Sequence, residues 1–107
     1  MNNELTPHIE YHPNGNVLIK GQINQYGRKE GLWEFFYSNG KIHWRTPYRD
    51  GKEDGIEEIF YENGNIEWRT TYKEGKKDGI QTFYDEQGNI TGTRLWKNGE
   101  VIETTKH

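Results

Sequence analysis

The chain has no cysteine and no alanine, and only 30% of its 107 residues are hydrophobic. The absence of cysteine excludes disulfides, a thiol nucleophile and thiolate metal ligands. The absence of alanine argues against helices, whereas the abundant glycine, threonine and aromatic residues suit strands and tight turns. Fifteen aromatic residues supply a large packing area for so short a chain, so we expect an ordered β protein rather than a disordered one.

The chain also lacks a block of like charges and a long apolar run. Its 17 acidic and 14 basic residues are mixed along the sequence and give a net charge of −3. Nucleic-acid binding would require a basic stripe, so we predict no nucleic-acid partner. No stretch approaches transmembrane length, and the first fifteen residues lack the apolar segment of a signal peptide. These absences predict a cytoplasmic protein that does not contact a membrane.

What the sequence does contain is a repeat of 24 residues. The stretch YSNGKIHWRTPYRDGKEDGI from Tyr37 returns as YENGNIEWRTTYKEGKKDGI from Tyr61, with thirteen of twenty positions identical. Glycines recur at the same period in three series, which are Gly40, Gly64 and Gly88, then Gly31, Gly55 and Gly79, then Gly51, Gly75 and Gly99. A fixed period of this size indicates a repeat array.

Each copy of the repeat predicts two strands and two turns. The Asn-Gly pairs at 39–40 and 63–64 tolerate the positive φ that a tight turn requires. Apolar and polar residues then alternate, which predicts a first strand over 41–49 with one face formed by Ile42, Trp44, Thr46 and Tyr48. Second strands are predicted over 55–61 and 79–84. The GKEDG and GKKDG segments that precede them are expected to be hydrophilic loops framed by glycine.

The repeat predicts the fold class directly. We expect one all-β domain over 1–107, a single-layer, curved antiparallel meander of eight or nine short strands in successive hairpins. About four repeats would build it, at about 11–36, 37–60, 61–84 and 85–107. One hairpin cannot bury its own face, so at least about three stacked units are needed for stability.

The order of residues within the unit resembles the MORN repeat in its bacterial variant form. The resemblance rests on Tyr-x-Asn-Gly followed by an isoleucine, an aromatic residue, a tyrosine and Gly-x-x-x-Gly, from about Tyr11 to Thr104. The fourth copy departs from it at Asp85 and Gly92. The resemblance implies an accessory interaction module. Short stand-alone bacterial proteins similar to this one are commonly antitoxins or immunity proteins, and other MORN arrays act as structural or lipid-associated scaffolds.

No group of residues in the sequence predicts catalysis or metal binding. His8 and His12 would lie about 13 Å apart on a strand, too far for a shared metal ion. Glu57 and Glu58 are adjacent on a predicted strand, so they point to opposite faces and cannot act on one substrate. Ser38 is a turn residue outside any nucleophile motif. We therefore predict that the chain is not an enzyme and needs no cofactor or metal.

A single-layer sheet leaves aromatic side chains exposed, and exposed tryptophan and tyrosine suit a protein-binding hot spot. The residues predicted to contact a partner are Trp33, Glu34, Phe35, His43, Arg45, Glu57, Ile59, Tyr61, Glu67 and Arg69. The five from Glu57 onward are expected to share one face and to form the contact centre. The face of Ile66, Trp68 and Tyr72 is expected to be the core.

We therefore expect an immunity or antitoxin protein that neutralises a bacterial toxin by direct binding. The acidic residues of the contact face would suit a toxin with a basic groove. Two alternatives remain open. One is a structural or lipid-associated scaffold that self-associates through its edge strands, and the other is a carbohydrate-binding module that uses its tryptophans. The sequence does not predict the oligomeric state.

Overall fold

The computed structural model describes residues 4–107, and these residues form ten β-strands and no helix. The strands are β1 (Thr6–Tyr11), β2 (Val17–Ile23), β3 (Lys29–Phe36), β4 (Ile42–Arg49), β5 (Lys52–Glu53), β6 (Gly55–Phe60), β7 (Ile66–Lys73), β8 (Lys76–Tyr84), β9 (Ile90–Lys97) and β10 (Glu100–Lys106). Strands adjacent in the chain pair antiparallel, except that β4 pairs with both the short β5 and β6. The structure confirms the predicted all-β meander, with ten strands in place of eight or nine.

All the described strands belong to one open sheet, which measures 45 × 36 × 15 Å. Alternate residues along a strand, and residues opposite one another on neighbouring strands, project from the same face. The face that we call the aromatic face carries the row Trp33, Thr46, Glu57, Thr70 and Gln81. The opposite face, which we call the ladder face, carries the row Lys20, Glu34, Arg45, Glu58 and Arg69.

The core lies in the central row of the aromatic face, where Trp33 is 3% exposed and Thr46 and Thr70 are each 1% exposed. The described residues form no second layer, so larger side chains of the same face must cover these positions. The rings of Trp33 and Tyr48, for example, meet edge to face with centroids 6.4 Å apart. Aromatic rings therefore shield the core row from water, as the second sheet does in a β-sandwich.

The polar groups of this core bond to one another. Gln81 Nε2 donates to Thr70 Oγ1 at 2.9 Å, and Trp96 Nε1 donates to Gln81 Oε1 at 2.8 Å. Thr46 Oγ1 donates to a Glu57 carboxylate oxygen at 2.8 Å. Within the described part of the chain, no buried side-chain nitrogen or oxygen lacks a partner. A polar core row is tolerated because each group has exchanged its water for a protein partner.

The Asn-Gly turns are three-residue hairpin loops in which glycine alone has a positive φ. Gly40 has a φ of 91°, and its N–H donates to the carbonyl of Tyr37 at 2.9 Å. Asn39 contributes through its side chain, because its Oδ1 accepts from the N–H of Lys41 at 2.9 Å. Gly64 has the same conformation, with a φ of 94°. The positive φ expected at these two glycines is confirmed.

The second kind of turn, which contains an acidic residue followed by glycine, contradicts the prediction of charged loops. Asp50 and Gly51 have φ values of 49° and 88°, and Glu74 and Gly75 have 49° and 86°. Two consecutive positive φ values mark a two-residue hairpin turn, whose twist matches that of the strands. The next strand therefore resumes at once, and β8 already begins at Lys76. The prediction of loops at GKEDG and GKKDG was wrong because the turn needs only two residues.

Pro47 accounts for the one irregularity in the strand order. Thr71 occupies the same position in the next copy, and there β7 pairs with β8 through Thr70 and Gln81. Pairing of β4 with β6 ends one step earlier, at Arg45, and the short β5 takes over beyond it. Proline has no N–H to donate to the ladder, so the corresponding strand is divided into β5 and β6.

Hydrogen bonds join successive hairpins of the sheet at both edges. Tyr37 Oη donates to the carbonyl of Phe60 at 2.7 Å, and Tyr61 Oη donates to the carbonyl of Tyr84 at 2.6 Å. At the opposite edge, turn glycines donate to the preceding copy, in the bonds Gly51 to Lys29, Gly75 to Glu53 and Gly99 to Lys77. The tyrosine of Tyr-x-Asn-Gly is thus a link between successive hairpins, from the first residue of a copy to its last.

Candidate protein-interaction surfaces

The centre of the aromatic face carries two carboxylates beside two tyrosine rings, and we call this cluster the acid–aromatic site. Tyr48 lies opposite Glu53 in register. Burial raises the pKa of Tyr72 to about 12, and the charges of Glu57 and Glu53 add to the effect. Burial also raises the pKa of Glu57, although the hydrogen bond from Thr46 and the charge of Lys77 oppose it. A poorly solvated site with negative charge and aromatic rings favours a cation.

The neighbouring copies of the repeat place lysines on aromatic rings of this face, and one of these rings is Tyr48 of the site itself. Lys29 Nζ lies 5.0 Å from the ring centroid of Trp33 and 4.9 Å from that of Tyr48. Lys77 Nζ lies 4.5 Å from the ring centroid of Trp96. The residue halfway between these lysines in sequence is Glu53, at 24 residues from each. The central copy therefore has a carboxylate where both neighbours have an ammonium group.

One aromatic ring of this face also covers a glycine on the adjacent strand. The ring of Trp33 lies so close to Gly21 that a Cβ at Gly21 would overlap it. Tyr72 lies opposite Gly55, and Trp96 lies opposite Gly79. Gly21 leaves a gap in the sheet surface that the ring of Trp33 fills, so this ring is held in a fixed position. A Cβ at Gly55 or Gly79 would meet Pro47 or Thr71 rather than the facing ring.

The ladder face carries charges that alternate in sign across five strands, a row that we call the charge ladder. Its members are the residues that define this face, Lys20, Glu34, Arg45, Glu58 and Arg69. Glu58 accepts from Arg45 Nε at 2.8 Å and from Arg69 Nη2 at 3.3 Å. The side chain of Glu58 is only 17% exposed, so the two guanidinium groups shield its carboxylate. Cross-strand pairs of opposite charge stabilise a sheet modestly.

Beside the charge ladder runs a second row on the same face, which we call the apolar row. Leu32, Ile56 and Ile80 are 48%, 51% and 58% exposed, respectively. Pro47 and Thr71 lie between them in register. Contiguous exposed aliphatic side chains are uncommon on a surface that only meets water. The ladder face therefore combines an apolar strip with fixed charges.

The ten predicted contact residues do not form one surface. Four lie on the aromatic face, namely Trp33, Phe35, Glu57 and Ile59. Three lie on the ladder face, namely Glu34, Arg45 and Arg69. The other three, His43, Tyr61 and Glu67, lie towards the three-residue turns. There His43 stacks on a tyrosine ring with centroids 4.2 Å apart, and burial together with the charge of Glu67 raises the pKa of Tyr61.

The expectation that Glu57, Ile59 and Arg69 share a face was wrong. Ile59 lies opposite Trp68, and Glu58 rather than Glu57 lies opposite Arg69. Trp68 therefore belongs with Glu57 and Ile59 on the aromatic face. A shift of one residue in register exchanges the two faces of a strand, and the sequence alone does not determine that register.

Sequence reasoning also missed residues that the structure brings to these surfaces. Tyr48, Glu53 and Tyr72 belong to the acid–aromatic site, and comparison of Glu53 with the lysines 24 residues away would have revealed it. The apolar row was missed because its members are separated in sequence and meet only when the strands pair. Both surfaces depend on cross-strand register.

The described residues present no group suited to a metal ion and no membrane-spanning helix. Within 4–107, no three His, Cys, Asp or Glu side chains are placed together to hold a metal. His8 bonds to Glu10, whereas His12 bonds to the carbonyl of Phe36, so the two histidines have different partners. In the same range, no helix is long and apolar enough to cross a membrane.

The sequence model of the MORN repeat variant matches residues 7–25, 29–52, 53–74 and 77–103, which together make up most of the chain. The chain belongs to the MORN repeat variant family. The recurring tyrosines, turn glycines and facing rings described above are thus features of the MORN repeats of this chain. Arrays of this family are generally not enzymes. A search of curated proteins gave no match.

Among solved structures, this MORN array is similar to part of TarM. The TarM crystal structure matches with a TM-score of 0.54 and 15% identity over 96% of this chain and 20% of TarM. A mutant of S. aureus TarM in complex with fondaparinux, alpha-GlcNAc-glycerol and UDP matches with a TM-score of 0.49 and 14% identity, over 92% of this chain and 21% of that chain. The chain thus spans about one fifth of the length of TarM, and the likeness concerns the fold alone.

Proposed function

We propose that this MORN array is a non-enzymatic protein-interaction module that binds a basic surface of a protein partner through its aromatic face. The observation that carries the proposal is the acid–aromatic site. Its neighbours bind their own Lys29 and Lys77 on aromatic rings, whereas the central copy presents Glu53 and Glu57. Lys29 and Lys77 reach the two sides of the site, and a lysine or arginine of the partner would add a cation beside the carboxylate of Glu53.

The surroundings of the site support a protein partner. Interface hot spots are rich in tryptophan and tyrosine, lie near the centre of the contact and are surrounded by side chains that exclude water. Tyr48, Trp68 and Tyr72 provide such a surround on an open sheet face. The face measures 45 × 36 Å, which is enough for the roughly 800 Å² that each partner buries in a standard interface.

The proposed partner is a bacterial toxin, which makes this chain an immunity or antitoxin protein of the cytoplasm. This part of the proposal rests on the resemblance to small stand-alone bacterial MORN variants. A toxin that acts on nucleic acid needs a cationic groove for phosphate groups. The acid–aromatic site would occupy such a groove, and opposite charges would speed the association.

The test begins with the proteins encoded by the genes next to this one. Each is purified and titrated against the wild-type chain by isothermal calorimetry, and a basic protein is expected to bind. Glu53→Lys gives the central copy the residue that the chain has at 29 and 77, so the variant should fold. It should weaken binding by roughly tenfold or more, because a lysine then fills the site.

A matched control separates the site from net charge. Glu62→Lys makes the same change of charge on an exposed turn of the same copy and should bind like wild type. The proposal is abandoned if no neighbouring product binds, or if Glu53→Lys and Glu62→Lys weaken binding equally. For the toxin role, co-expression of wild type but not Glu53→Lys should restore growth of cells that express the partner.

The alternative of a scaffold that self-associates through edge strands has less support. Strand β10 is exposed along its whole length, including Val101 at 47% and Ile102 at 57%. However, its register shifts between Val101 and Glu103, and Glu100 and Lys106 place charges on it. Bulges and charges are the devices that prevent an edge strand from pairing with another chain.

A further inference from the structure

The charge ladder and the apolar row give the ladder face the chemistry of an interface that pairs with itself. We infer that this face binds a second copy of the chain, with the two sheets face to face and a two-fold axis parallel to the strands between β4 and β6. The inference concerns the opposite face from the acid–aromatic site, so it does not depend on the proposed function.

The first argument is charge complementarity. A two-fold axis parallel to the strands reverses the order of the strands and leaves each row facing its own counterpart. With the axis between β4 and β6, Arg45 faces Glu58 of the second copy, and Arg69 faces Glu34 of the second copy. Every ladder charge from β3 to β7 then faces the opposite sign, because an alternating row is complementary to its own reversal.

Other two-fold arrangements lack this property. An axis that runs along the ladder keeps the strand order, so Arg45 would face Arg45 and Glu58 would face Glu58. An axis parallel to the strands but centred on β4 would also place Arg45 against its own copy. The alternation of sign therefore selects axes that lie between two adjacent strands of the ladder. Among these, the axis between β4 and β6 lies near the middle of the strand order, so it overlaps more strands of the two sheets than the axis between β3 and β4.

The second argument is the apolar row, which the same axis places against itself. Pro47 faces Ile56 of the second copy, and Leu32 faces Thr71 of the second copy. Leu32 and Ile56 are 48% and 51% exposed in the single chain and would be covered. Packed sheets with this alignment cross at about 30°, so only the central strands stay in register, and these are the strands that carry the ladder.

The third argument is area. Half of a 45 × 36 Å face is about 800 Å², which equals what each partner buries in a stable interface of standard size. In a single copy, the aromatic rings cover only the aromatic face of the sheet. Stacking two copies produces a two-layer sandwich, the arrangement in which most sheets bury a face.

The experiment measures mass by sedimentation equilibrium over a range of concentrations of the full chain. A dimer is expected for wild type. Ile56→Lys places a charge beside the proposed axis and should raise the dimer dissociation constant by roughly tenfold or more. Ile102→Lys is the matched control, since Ile102 is 57% exposed on the edge strand β10, and this variant should remain dimeric.

A second variant distinguishes this arrangement from any other dimer. Reversing all five ladder charges (Lys20→Glu, Glu34→Arg, Arg45→Glu, Glu58→Arg and Arg69→Glu) preserves the alternation within the sheet. The reversed chain should form dimers with itself, yet mix poorly with wild type, because like charges then face one another. Native mass spectrometry of the mixture measures the proportion of mixed dimers directly. A wild-type monomer at all concentrations, a dimer insensitive to Ile56→Lys, or random mixing would each refute the inference.

Discussion

At the scale of single residues, Glu57 links stability and recognition. Its carboxylate lies on the most buried row of the sheet, accepts a hydrogen bond from Thr46 and has a raised pKa because of burial. A charged group in such a place costs stability in the free chain. A cationic side chain of a partner would remove that cost and lower the pKa again. Binding near the raised pKa should therefore release protons.

The sign of the pH effect in the free chain follows from the same shift. Since the folded chain holds the Glu57 proton more tightly than the unfolded chain, stability falls as pH rises above the ordinary carboxyl pKa towards the raised one. Glu57→Gln removes this titration and keeps an oxygen for Thr46. We expect the variant to be at least as stable as wild type at neutral pH, with a flatter profile in this window, measured by urea unfolding.

Two exposed aspartates affect stability in the opposite direction as pH changes, and both are present in wild type and in Glu57→Gln. The hydrogen bond from Asn24 lowers the pKa of Asp50, and hydrogen bonds from Asn89 lower that of Asp85. Each therefore favours the folded state above its unfolded pKa and loses this effect as pH falls. An unchanged profile in Glu57→Gln would mean that burial does not govern the Glu57 carboxylate.

At the scale of elements, the division of β5 from β6 tests how far one proline shapes the sheet. Pro47→Thr reproduces the residue of the next copy and restores an N–H at the point where the β4–β6 ladder stops. One added hydrogen bond contributes about 0.5–1.5 kcal/mol, less the chain entropy that proline had removed. We expect a small gain in unfolding free energy and a new amide at residue 47 that exchanges slowly with deuterium. Fast exchange at that amide would show that proline is not the cause of the break.

The elements were predictable where local chemistry determines them. Alternation along 41–49 and glycine at positions 40 and 64 correctly predicted strands and turns, because each requirement is met within a few residues. The loops expected at GKEDG and GKKDG were wrong because Asp50 and Glu74 adopt a positive φ that favours glycine and asparagine. The grouping of Glu57, Ile59 and Arg69 on one face was wrong for a different reason, since it depends on the register between strands, which no single strand determines.

At the scale of the whole molecule, the hydrogen bonds between successive hairpins predict a single cooperative unfolding transition. Trp33→Ala removes the most buried aromatic ring and should cost about 3–5 kcal/mol. Tyr61→Phe should cost less, about 1–3 kcal/mol, because it leaves the carbonyl of Tyr84 without its hydrogen bond. Far-ultraviolet circular dichroism and tryptophan fluorescence should report the same midpoint in urea for each variant.

A transition in two steps would contradict this prediction, because it would mean that copies unfold separately. Trp68→Ala provides a graded comparison, since Trp68 is half-buried whereas Trp33 is 3% exposed. The loss should be smaller than for Trp33→Ala and should move both probes together. Equal losses at the two positions would place the core elsewhere on the aromatic face.

The pairing of each strand with its neighbour in the chain also governs how the protein folds. An all-β chain usually folds slowly because distant segments must meet and long loops must close. Here every pairing closes a short turn or a short connection, so no long loop closure is needed. Each hairpin can therefore add to the one before it as soon as the ribosome releases it, and the nascent chain never has to wait for its C-terminus.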